Sequence, residues 1–267
     1  MRGRLRLGLT AVLLLALAAL PLAAADQAAA PRLFVLHQEF ARPSMLKQYE
    51  ETSKEFIGYV RQHHDAIPSF NFVAVAGEDY VYTFVAPIRS FADLDAINGG
   101  FGKVAQAVGE AKWGDLMKRG GQATEFIRES VLMEDPSLSY TPAQPRLKPE
   151  EERYLHVDLY YVQPGREAEA DALAKEFVEL FRKKGITESY RLFKVVMGPE
   201  MPLLIVTVPA KDAADYEVHN QAGMQALGAE GQALFARAFA LTRRFETHGG
   251  TIRPDLSLEP MKSMPGK

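Results

Sequence analysis

The stretch YLHVDLYYV, Tyr154 to Val162, alternates in a way that only a strand explains. Successive strand side chains point to opposite faces, so Leu155, Val157, Leu159 and Tyr161 share one face and Tyr154, His156, Asp158 and Tyr160 the other. An earlier stretch, LFVLHQEFARP from Leu33 to Pro43, has the same form. There Phe34, Leu36, Gln38 and Phe40 oppose Leu33, Val35, His37 and Glu39. Using the strand-ending prolines Pro43 and Pro164 as register marks, His37 aligns with Asp158, and His156 lies two residues farther from its proline. A shift of two preserves the face, whereas a shift of one would reverse it. Both strands therefore send polar groups the same way.

Working outward, the resemblance between the two halves continues. Each strand leads into an amphipathic helix, with Leu46, Tyr49, Phe56, Ile57 and Val60 at helical spacing in the first and Ala170, Leu173, Phe177, Leu180 and Phe181 in the second. Gly185 stops the second helix and Pro68 follows the first. A hairpin comes next in both, turning at Gly77-Glu78-Asp79 and around Gly198-Pro199-Glu200, and both hairpins end at a proline, Pro87 and Pro209. A short acidic helix (SFADLD, KDAADYE) and a longer one, about Gly102 to Arg119 and Ala229 to Arg243, precede last strands that align without a gap from Thr124 and Thr242. The paired glycines 99–100, 120–121 and 249–250 are expected to mark turns. Residues 33–140 and 154–258 are thus two β-α-β-β-α-β, ferredoxin-like repeats, joined by a linker at 141–153 rich in proline and charge, with a tail at 259–267.

This layout resembles the dimeric α+β barrel superfamily, which includes antibiotic-biosynthesis-monooxygenase-like and NIPSNAP-like domains. The resemblance rests on element order and strand-ending prolines over nearly the whole mature chain. It implies an α+β fold in which two four-stranded sheets close into one barrel with helices outside, here within a single chain. It also implies a possible activity, cofactor-independent oxidation of a phenolic or polyketide-like substrate. A further similarity, to chlorite dismutase, implies haem, for which only His219 or His248 is placed to be an axial ligand.

Composition narrows the field. The first residues carry Arg2, Arg4 and Arg6, then a Leu/Ala-rich run from Leu9 to Leu22 and the small residues Ala23-Ala24-Ala25. That pattern is a secretory signal peptide over 1–25, cleaved before Asp26, with a periplasmic or secreted destination. The apolar run falls short of the roughly 20 residues that span a bilayer. There is no cysteine, so no disulfide supports the exported chain, which must rely on its apolar core. Of 31 basic residues three lie in the signal, which leaves 28 against 34 acidic ones. A chain of that sign suits neither nucleic acid nor an anionic membrane surface.

If the apolar strand faces meet the helices, the polar faces look into the barrel. On that expectation His37, Glu39, His156 and Asp158 line a shared, partly polar cavity, with Tyr82 and Tyr160 among its aromatic walls. Side chains at i and i+2 lie about 7 Å apart, within reach of one small ligand. Each His-acid pair suits acid-base work, ligand orientation, a metal, or simply an internally satisfied hydrogen bond. His219, on a short helix near a loop over the barrel, and Glu246 with His248, on the last strand opposite Arg128 and Ser130, complete the candidates. His63 and His64 read as helix-terminal caps and Trp113 as core or interface. No nucleophile elbow, zinc-protease helix or phosphate-binding glycine loop is present. The function expected is small-molecule binding or a structural role, with no cofactor; haem or a divalent metal are the alternatives. The expected oligomeric state is monomer or homodimer.

Overall fold

The computed structural model describes residues 31–258, so the signal segment and the tail lie outside the described residues. The first repeat comprises β1 (Arg32–Ala41), α1 (Leu46–Gln62), β2 (Val73–Gly77), β3 (Val81–Ile88), α2 (Ala92–Val108), α3 (Glu110–Ala123) and β4 (Thr124–Glu134). The second comprises β5 (Tyr154–Val162), α4 (Glu167–Lys184), β6 (Arg191–Met197), β7 (Leu203–Ala210), α5 (Ala213–Leu241) and β8 (Thr242–Ile252). The eight strands close into one barrel in the order β1-β3-β2-β8-β5-β7-β6-β4. Each repeat supplies four neighbouring strands. The seams are β2 with β8 and β4 with β6.

The register confirms the duplication at single-residue level. Strand β1 has a bulge between Phe40 and Ala41 against β4, and β5 has one between Tyr161 and Val162 against β8. Both bulges stand at the same distance before the strand-ending proline, so each position of β1 has a defined counterpart in β5. Gly185 ends α4 in the left-handed conformation (φ 63°), as a helix C-cap requires.

The direction of the polar faces is the reverse of the expectation. An eight-stranded barrel is just wide enough for side chains to fill, and apolar side chains fill the middle of its interior. Phe34, Leu36 and Leu132 of the first repeat interdigitate there with Val157, Leu159 and Phe193 of the second. The apolar strand faces are consumed by this interior, and the polar faces of β1 and β5 meet the helices. Glu39 accepts a hydrogen bond from Tyr49 of α1, and His156 stacks on Tyr216 of α5. Beside the barrel core, the buried Glu134 is held by Arg32 (2.7 Å) and Arg191 (2.6 Å).

The paired glycines are not turns. Gly99 and Gly100 lie within α2, Gly120 and Gly121 within α3, and Gly249 and Gly250 within β8. A side chain at Gly100 would strike Ile67 and one at Gly250 would strike Val75 across the β2–β8 seam, so close approach explains these two. The helix expected from about Gly102 to Arg119 is interrupted at Gly109 (φ 96°, ψ 131°), which separates α2 from α3. Its counterpart Gly228 (φ 57°, ψ −146°) breaks α5 into two segments.

Candidate functional site

The space between sheet and helices differs between the repeats. In the first it is filled. Tyr49 of α1 and Tyr82 of β3 are both buried, with ring centroids 4.5 Å apart, in a cluster with Ile57, Val60, Phe72 and Ala74. Tyr49 donates to Glu39 Oε2 (2.6 Å) and Tyr82 to Glu50 Oε1 (2.7 Å). Burial, then the neighbouring carboxylate, pushes both phenols up, Tyr82 to about 12.

In the second repeat the counterpart of Tyr49 is Ala170, and the counterpart of Tyr82, opposite Tyr160 as Tyr82 is opposite Glu39, is Leu204. Two aromatic rings are thereby exchanged for smaller groups. The result is a cavity of ≈ 180 Å³ between β5, β6, β7 and helices α4 and α5. Its walls are chiefly apolar, with Leu173, Phe177, Leu204 and Val206 among them. Its polar lining includes Asp158, Tyr160, Tyr190, Tyr216 and His219. Asp158 accepts from His156 Nε2 (3.0 Å), the same nitrogen that lies 3.2 Å from Thr247 Oγ1. The His156 ring stacks on Tyr216 (3.9 Å, 12°). Burial, followed by the Asp158 charge, raises both Tyr160 and Tyr216 above the ordinary phenol range, so these hydroxyls stay protonated donors. The hydroxyl of Tyr190 is buried and has no hydrogen-bond partner among the described residues. An apolar chamber with a few fixed polar groups is the usual form of a small-molecule site.

The candidate residues thus divide into three places. Asp158, Tyr160 and His219 line the cavity, with His156 against its wall. His37 and Glu39 lie on the filled side of the first repeat, where Glu129 (2.8 Å) and Glu39 (3.0 Å) bracket the imidazole. Tyr82 fills rather than lines. Glu246 and His248 stand on the inner face of β8, opposite Leu159 and Val157, where Glu246 accepts from Tyr161 (3.3 Å) and lies 3.5 Å from His248 Nε2. Because β2 covers β8 only at Gly250 to Ile252, this stretch keeps an open edge and His248 is half exposed. Among the described residues no group of three or more His, Asp or Glu is arranged to hold a metal ion, and the two His-acid pairs belong to separate repeats. His219 belongs to the break-containing helix α5, outside the second sheet, rather than to a barrel roof. Sequence reasoning missed Ala170, Leu204 and Tyr216. Setting the repeats side by side at the proline-defined offset reveals the first two as small residues opposite tyrosines.

No family model and no curated protein matches the sequence. Solved structures match in fold. An anthrone oxidase-like protein superposes with a TM-score of 0.56 at 15% identity, over 83% of this chain and 91% of that one. A protein designated a monooxygenase from Fusobacterium nucleatum gives 0.52 at 11%, over 83% and 92%. A mutant chlorite dismutase from Candidatus Nitrospira defluvii gives 0.50 at 15%, over 84% and 92%. All three are dimeric α+β barrels, and this chain has that architecture built from a tandem repeat.

Proposed function

We propose that this protein binds a compact, largely apolar small molecule carrying one oxygen substituent, a phenol being the simplest, in the cavity of the second repeat. The replacement of the Tyr49/Tyr82 pair by Ala170/Leu204 is the observation that carries this reading, because it empties in one repeat a space that the other fills. Tyr160 and Tyr216 supply protonated donors and Asp158 an acceptor, so a hydroxyl or carbonyl at the polar end is satisfied from either side. Export into the periplasm or medium, with the mature chain starting at Asp26, belongs to the same proposal and is checked by N-terminal sequencing of the exported material.

The test is titration with 2-naphthol, followed by its fluorescence. Wild type is expected to bind, and Ala170→Tyr and Leu204→Tyr, which rebuild the filled arrangement, to lose at least tenfold in affinity while keeping the melting temperature. Unchanged binding in both folded variants would overturn the reading.

An oxidative enzyme is the second reading, supported by Asp158 facing the cavity as a proton acceptor for a phenolic substrate. Oxygen uptake with a phenol panel, abolished in Asp158→Asn, is its signature. Haem fits less well. His219 has a suitable tautomer, since its Nδ1–H donates to the Asp215 carbonyl (2.8 Å) and leaves Nε2 as the lone-pair nitrogen. The volume does not fit, because a tetrapyrrole is several times larger than the ≈ 180 Å³ of the cavity. Haemin titration is expected to leave the Soret band unshifted.

A further inference from the structure

The cavity is bounded on its outer side by the first segment of α5, Ala213 to Leu227, and that segment is weakly packed. Only Leu227 in it is buried, and its inward stripe is Tyr216, His219, Gly223 and Leu227. The corresponding helix of the first repeat, α2, buries Ile97, Gly100 and Val104 on one stripe, with Gly100 tight against Ile67. Apolar burial therefore anchors α2 and does little to anchor the α5 segment, because hollow space lies beneath it. The segment ends at Gly228, whose φ of 57° and ψ of −146° lie in a region essentially reserved for glycine. What ties the segment down is polar and localised. Arg146, from the linker between the repeats, makes a two-pronged ion pair with Asp215 (2.9 Å at both prongs), and Tyr216 stacks on His156. The linker is itself fixed there, through Arg146 N–H to the Thr187 carbonyl (3.2 Å).

We infer that residues Ala213 to Leu227 form a lid over the second-repeat cavity, hinged at Gly228 and latched by Arg146–Asp215 and His156–Tyr216. The inference rests on the proposed ligand site and adds how that site is filled: the ligand passes when the latch releases, and the linker takes part in timing it. Hinges of this kind use a few residues at element ends, and glycine is well suited to them.

Hydrogen–deuterium exchange of the whole chain, with and without saturating 2-naphthol, tests it together with stopped-flow binding. Amides of 213–227 are expected to exchange at least tenfold faster than those of α4 and of 229–241, and to slow when 2-naphthol is bound. Arg146→Gln is expected to raise the association and dissociation rates of 2-naphthol together, severalfold each. Exchange in 213–227 as slow as in 229–241 overturns the lid, whatever binds. Fast exchange confined to 213–227 without any 2-naphthol binding would instead sink the ligand reading and leave the lid standing. Binding that leaves both the exchange of 213–227 and the Arg146→Gln rates at their unperturbed values would overturn the lid while sparing the site.

Discussion

The imidazole of His37 lies between Glu39 and Glu129, and since an ionised carboxylate only accepts, the imidazolium form, with a proton on each ring nitrogen, is the one that satisfies both contacts. Burial works against that charge, but the hydrogen bonds and charges of Glu39 and Glu129 outweigh it and hold the group above its ordinary value of 6.5. A folded value above the unfolded one stabilises the protein below the unfolded value, and the gain is lost as pH rises through the folded value. His37→Gln is therefore expected to cost more stability at about pH 5.5 than at about pH 8.5, by roughly 1 kcal/mol for each unit by which the folded value is raised. Urea denaturation at the two pH values measures it, and an equal cost at both contradicts the charged pairing. The spacing of His37 with Glu39 and of His156 with Asp158 was legible as two polar pairs on matching faces. Their direction was not, because a strand pattern fixes which residues share a face and says nothing of whether helix or barrel interior lies over it.

At the scale of elements, the strands were the most readable part. Alternation and terminal prolines placed β1, β5 and both hairpins, and the last strands begin at Thr124 and Thr242 as aligned. The helices between were less so in the first repeat, where Gly109 interrupts the run expected from Gly102 to Arg119, whereas the break at Gly228 falls just before the expected start at Ala229. A glycine break is set by backbone angles, and glycines in regular helix, such as Gly99, look identical in sequence. Substitution separates the two kinds. Gly228→Ala forces a side chain into a glycine-only conformation and is expected to cost about 1–3 kcal/mol. Gly99→Ala has open space around the added carbon and is expected to be neutral or to stabilise by up to about 1 kcal/mol. Denaturant midpoints at constant m-value compare them, and equal effects would mean that Gly228 is not the constrained position.

For the whole molecule, duplication was legible in the order of elements, and closure into one barrel was what the resemblance to the dimeric α+β barrels implied. The unequal use of the halves escaped the local patterns, because Tyr49 and Tyr82 meet across a layer, and it shows in the sequence only where the repeats are paired position by position. The β2–β8 and β4–β6 seams are pseudo-equivalent, so residues 26–145 made alone would leave β2 and β4 with free edges. Such edges seek partners. The isolated first repeat is expected to elute as a dimer in light-scattering chromatography, and a stable monomer would argue that the seams are not interchangeable. The looser packing beside Ala170 has a last consequence, because packing defects disappear on unfolding and the volume of the system falls. Hydrostatic compression should thus disturb the two repeats unequally, with amide resonances of α4 and α5 losing intensity at lower pressure than those of α1 and α3. The molecule would be mechanically lopsided, stiff where Tyr49 and Tyr82 pack together and yielding where Ala170 and Leu204 replace them.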